Sequence, residues 1–176
     1  MRHFPATFAA PLVLLQPLCA QGDRYELGLR LRAFERELAA TPDPLARRAA
    51  FSELNRAVQK FFSMDMRGVA TAVEDSVWAL RKKEPSADER FARSLQLQFP
   101  MRLAATGDAK LPFRMLAAFP VDRPAQSTFR LVVDLVGKSQ TPLVDTDLGD
   151  LPWNGELPLQ GVPAGDHSIR WRILRE

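Results

Sequence analysis

The hydrophobic pattern of this chain changes period once along its length. From Arg24 to Lys83 apolar residues recur every three or four positions, and from Leu95 they alternate with polar ones. The first period lines one face of a helix and the second lines one face of a strand. Helices placed ahead of strands, rather than between them, do not build a parallel sheet from repeated strand-helix-strand units. They predict an α+β chain: an N-terminal three-helix antiparallel segment followed by a small antiparallel β-sandwich.

The helical part divides into three. Leu27, Leu31, Phe34 and Leu38 form one stripe. The tetrapeptide TPDP then breaks and restarts the helix, with Asp43 as N-cap and Pro44 at the first helical position, where its missing N–H is no loss. Phe51, Leu54, Val58 and Phe61 form the second stripe, expected to face the core like the first. A third helix, starting near Ser63 or Asp65, is expected to bury Met66, Val69, Val73, Val77 and Leu80, and Arg81, Lys82 and Lys83 suit its negative C-terminal end. SADE from Ser86 has capping-box spacing for one further short turn.

Leu95, Leu97, Phe99, Met101 and Leu103 then alternate with polar residues or Pro100. Proline donates no ladder hydrogen bond, so this strand is expected to lie at a sheet edge or to carry a bulge. Further strands are expected near 113–119, 128–136, 142–146, 156–160 and 167–174, separated by Pro, Gly, Asp and Ser clusters. Short strands at this spacing predict a sandwich.

The first twenty residues read as an export signal: Arg2 is the positive start, PLVLL the apolar run, and a cut after Ala20 leaves a small residue at the bond. Pro5, Pro11 and Pro17 interrupt the run, so no membrane span is expected. The expected divisions are therefore a signal peptide at 1–20, a helical segment at 21–94 and a β-domain at 95–176. The product is expected outside the cytoplasm, periplasmic or extracellular. A lipid anchor at Cys19 is the alternative, opposed by the bulky Leu18 before it. Cleavage after Ala20 removes the chain's one cysteine, and with it any disulfide, thiol nucleophile or thiolate ligand.

The turn GVPAGDH, with Pro163 to preset a dihedral and Gly165 free to take a positive φ, delivers the chain into a last alternating strand, HSIRWRIL. This phrase resembles the last hairpin of immunoglobulin-like and prealbumin-like β-sandwiches in secreted bacterial proteins. The order of signal, helices and sandwich, with the phrases FFSMDMRGVATAVEDSVWAL and VPAGDHSIRW, resembles the accessory region ahead of the catalytic domain in secreted bacterial esterases and peptidases of the α/β-hydrolase type. Those enzymes carry a GxSxG nucleophile elbow, which this sequence lacks. The resemblance thus implies a place beside an enzyme, not its activity.

Reactive side chains are few. His167 is the one imidazole beyond the signal, and its neighbour Ser168 is expected on the opposite face of a strand, so no Ser–His relay is expected. Zinc of the usual Cys/His kind lacks ligands. In DTDLGD, Asp145, Asp147 and Asp150 offer oxygens to a calcium ion. Counted as an EF-hand loop, Glu156 falls at the twelfth place, but Gly149 takes a ligand place, Asp150 the glycine place, and Pro152 interrupts. The simpler reading is a solvated acidic turn, and no cofactor is expected, with structural calcium as the alternative.

The formal charge of +3 and pI near 9.4 come mainly from the helical half, where Asp and Glu dilute the basic groups. Nucleic-acid binders show a larger, one-sided excess, so no nucleic-acid partner is expected. Trp153, between Pro152 and the turn residues Asn154 and Gly155, and the strand edge at Pro100 are the candidate contacts for a protein partner, although the simpler reading of Trp153 is a ring folded over the end of the sandwich core. The leading expectation is an exported, non-enzymatic interaction or accessory module. A carbohydrate-binding sandwich is the first alternative, and a small hydrolase using two carboxylates is the second.

Overall fold

The computed structural model describes residues 17–101, 104–105, 107–136 and 142–175. The fold is α+β, with four helices followed by two three-stranded antiparallel sheets among the described residues. The helices are α1 (Pro17–Ala40), α2 (Pro44–Phe62), α3 (Met66–Arg81) and α4 (Ala87–Ser94). The strands are β1 (Leu95–Gln98), β2 (Lys110–Ala117), β3 (Phe129–Leu135), β4 (Val144–Asp147), β5 (Trp153–Pro158) and β6 (Ile169–Arg175). Of the expected leader, the part before Pro17 lies outside the described residues, and Pro17–Ala20 belong to the start of α1.

The helix boundaries follow the predicted capping chemistry. Asp43 accepts from the Leu45 N–H at 2.9 Å with Pro44 at the first position of α2, and Asp65 accepts from the Gly68 N–H at 2.9 Å to start α3. Ser86 and Glu89 close a reciprocal capping box on α4. That box supports a full helix of 8 residues rather than a single turn, and α4 runs directly into β1.

α1 and α2 both pack on α3. Phe34 from α1, with Leu31 and Leu38 partly buried beside it, meets Val69, Val73, Val77 and Leu80 of α3 as the sequence predicts. On α2 the expectation fails. Its buried residues are Ala46, Ala50 and Ala57, whereas Phe51, Val58 and Phe61 stay about half exposed. Small side chains let two helix axes approach closely, so the alanine seam takes the contact with α3. Phe51 and Val58 each follow a seam alanine by one residue, which turns them about 100° round the helix and away from it.

One sheet has the order β1-β2-β5 and the other β4-β3-β6. Leu111, Phe113, Met115 and Leu157 of the first sheet share one apolar cluster with Phe129, Leu131 and Val133 of the second, and Phe91 of α4 joins it. The strand bearing Leu95 does lie at an edge, but it ends at Gln98, short of the predicted Leu103. Pro100 therefore follows β1 as an exposed residue and is not part of the ladder. Gly165 takes the expected positive φ of 135° before the last strand.

A buried ionic cluster joins the helices to the first strand. Arg30 of α1, 8% exposed, donates to the Arg93 carbonyl at 2.8 Å and lies 3.2 Å from Glu26 and 3.4 Å from Glu74. Glu74 of α3, 3% exposed, also accepts from Arg93 Nε at 2.6 Å. Burial pulls the Arg30 guanidinium below its ordinary pKa, against the opposing pull of the two carboxylates. Burial pushes the Glu26 carboxyl up, and Arg30 offsets part of that rise. The Arg30 guanidinium also lies over the Phe119 ring, 5.4 Å from its centroid.

Candidate functional site

The largest departure from the sequence expectation is the outward face of α2. Phe51, Leu54, Val58 and Phe61 are spaced three, four and three apart, and Arg47 extends the row by four. This is the a/d spacing of a helix that meets another helix along a seam. Leu54 is half-buried, and Phe51 meets Phe34 edge-on at 6.5 Å between centroids, so the row is propped on the core while much of it faces solvent. At the C-terminal end Phe62 is 80% exposed and sits edge-on to Phe61 at 6.0 Å. Beyond it Met64, 81% exposed, holds φ at +61°, a conformation costly for a residue with a Cβ.

The charge carried by α2 itself is predominantly basic. α2 carries Arg47, Arg48, Arg56 and Lys60 against the single acid Glu53. Arg56 is held by Glu53 and Asp75, each at 2.7 Å, and Lys60 by Asp65 at 3.1 Å. Arg47 and Arg48, both exposed, make no ion pair among the described residues. The apolar period marks the stripe but does not say which of two adjacent faces is small enough for a close helix contact; the run Ala46, Ala50 and Ala57 carries that signal.

The residues singled out from sequence do not converge. Asp145 and Asp147 lie on β4, with Arg130 of β3 held on Asp145 by a short hydrogen bond. Asp150 lies beyond that strand, fully exposed and 3.9 Å from Arg123. Among the described residues no group of three or more His, Cys, Asp or Glu side chains is placed to hold a metal ion. Trp153 is half-buried on β5, directly opposite Met115, and packs on Phe113 at 5.8 Å between centroids. It thus belongs to the wall of the core, while Pro100 stands apart beyond β1. His167 precedes β6 instead of lying within it, and its exposed ring bonds the Pro163 carbonyl at 2.7 Å.

One cavity of about 620 Å³ opens between Lys83, α4 and the strands β3 and β6. Four of its charged residues pair with one another, Lys83 with Glu89 at 2.6 Å and Arg175 with Asp88 at 2.8 Å. No described helix is long and apolar enough to cross a membrane. In comparisons with known proteins no family model, no curated protein and no solved structure matches the chain.

Proposed function

We propose that this chain is an exported, non-catalytic interaction module that binds an acidic amphipathic helix of another protein along α2. The observation that carries the reading is the half-exposed Phe51–Leu54–Val58–Phe61 row with unpaired Arg47 and Arg48 at its N-terminal end. A row of a/d residues seeks a second helix, and its basic rim selects one flanked by Glu or Asp. A second copy of the chain is disfavoured, because α2 has one acid, Glu53, already held by Arg56, and so offers no free carboxylate to the unpaired Arg47 and Arg48. The two sheets sharing one core are read as a small immunoglobulin-like sandwich on which a three-helix segment displays this face. The leader supports export, and the resemblance to accessory regions supports a place beside a secreted hydrolase.

The test is fluorescence anisotropy of the purified chain with two labelled helical peptides, each with a leucine a/d row, one flanked by Glu and one by Lys. The Glu peptide is expected to bind at least tenfold tighter, and Val58→Ser with Phe62→Ser to abolish binding without lowering Tm. Equal binding of both peptides, no binding of either, or a homodimer broken by Val58→Ser would overturn the proposal. So would turnover of esterase, peptidase or glycosidase substrates.

A further inference from the structure

A second cavity, of about 490 Å³, lies between α1, the start of α3 and the face of the β1-β2-β5 sheet turned away from the apolar core. Small-molecule sites span roughly 300–1,000 Å³. Its floor contains two cross-strand pairs, Gln96 opposite Leu116 and Gln98 opposite Arg114, whose side chains share one face of the sheet. Four features of its lining bear on what it can hold.

The Gln96 side chain is 6% exposed, lines the cavity and makes no hydrogen bond among the described residues. A buried amide ordinarily has partners, so its donors and acceptor are available to an occupant. Arg30, 8% exposed at the same wall, is fixed by Glu26, Glu74 and two carbonyls, which makes that wall rigid while its Nε stays without a partner. Arg67 and Arg114 also line the cavity, and neither makes an ion pair among the described residues. Guanidinium forks favour carboxylate and phosphate oxygens. Leu27, Met66 and Phe119 supply an apolar wall beside these polar groups.

We propose that this cavity binds a small amphiphilic anion, with a carboxylate or phosphate head held by Arg67 and Arg114 and its apolar body against Leu27, Met66 and Phe119. The buried Gln96 amide adds a directional contact, and the cations draw the head group to the mouth. The site shares no lining residue with α2, so it stands or falls separately from helix docking.

Calorimetric titration with decanoate, decyl phosphate and decanol, each below its micelle concentration, tests the inference on the full chain. One or both anions are expected to bind at least tenfold tighter than decanol, and the ratio between them identifies the preferred head group. Arg67→Gln with Arg114→Gln is expected to remove that advantage while leaving Tm unchanged, since Arg67 and Arg114 are exposed. Val58→Ser is expected to leave it intact. Decanol binding as tightly as the anions, anion binding unaffected by the double substitution, or no binding of either anion at millimolar concentration would refute the site.

Discussion

Arg93 Nε donates to Glu74 Oε1 at 2.6 Å, fixing the end of α4 to the middle of α3 two residues before the first residue of β1. Because Glu74 is 3% exposed and also faces Arg30, one carboxylate bridges two guanidiniums at the junction of helices and sheet. Removing it strands the buried Arg30 beside a single remaining acid, Glu26. Glu74→Ala is therefore expected to cost about 3–5 kcal/mol, read from urea unfolding. Replacing Glu26, Arg30, Glu74 and Arg93 together with methionine is expected to cost far less, since no member of the cluster is then left buried without its partner.

The seam and the stripe of α2 should respond in opposite ways. Ala50 is fully buried in the seam, and Ala50→Leu is expected to destabilise the fold by about 1–3 kcal/mol through overpacking. Phe62→Ser, at a side chain 80% exposed, is expected to change stability by no more than about 0.5 kcal/mol. Met64→Gly relieves a positive φ and is expected to raise stability by up to about 1 kcal/mol while weakening helix binding. Thermal melts and peptide anisotropy on the same variants separate the two effects.

Much of this architecture is legible in the sequence where local chemistry decides the outcome. Asp43, Asp65 and the Ser86–Glu89 box set helix starts because a cap depends on residues within one turn. The alternation of Phe129, Leu131 and Val133 shows a buried face because a strand offers only two. The orientation of α2 is not legible in the same way, because two apolar faces compete and the choice depends on the distance to α3. The cavity floor is hidden for a different reason. Gln98 and Arg114 are brought opposite each other only by strand register, which neither segment encodes alone.

Gly155 is required by a close approach across the sheet. A Cβ there would lie 2.5 Å from Phe113 Cζ, and Phe113 is 1% exposed and has no room to yield. Gly155→Ala is expected to cost about 1–3 kcal/mol. At Gly149 the neighbour is the Trp153 indole, 2.8 Å from the added Cβ, and this half-buried ring is able to shift. Gly149→Ala is expected to cost less and to move the tryptophan fluorescence, measured alongside chemical denaturation.

The Lys83 ammonium, followed by the Ser86 backbone N–H, holds the Glu89 carboxyl down to about 2, against an ordinary value of 4.5. A carboxylate depressed in the folded state contributes its stabilisation in full above the unfolded pKa and loses it as pH falls through the folded one. The capping box of α4 should therefore weaken between about pH 4.5 and 2. The Glu89 side-chain carbon in an NMR titration is expected to show a midpoint near the lower value, and Lys83→Ala is expected to raise it. A midpoint unchanged by Lys83→Ala would remove Lys83 as the cause.

The most direct test of the central claim is backbone NMR shift mapping of the chain titrated with the Glu-flanked helical peptide. If α2 is the docking face, the largest changes fall between Arg47 and Met64 and disappear in Val58→Ser. Changes centred on Trp153 or Pro100, or none at saturating peptide, would contradict it.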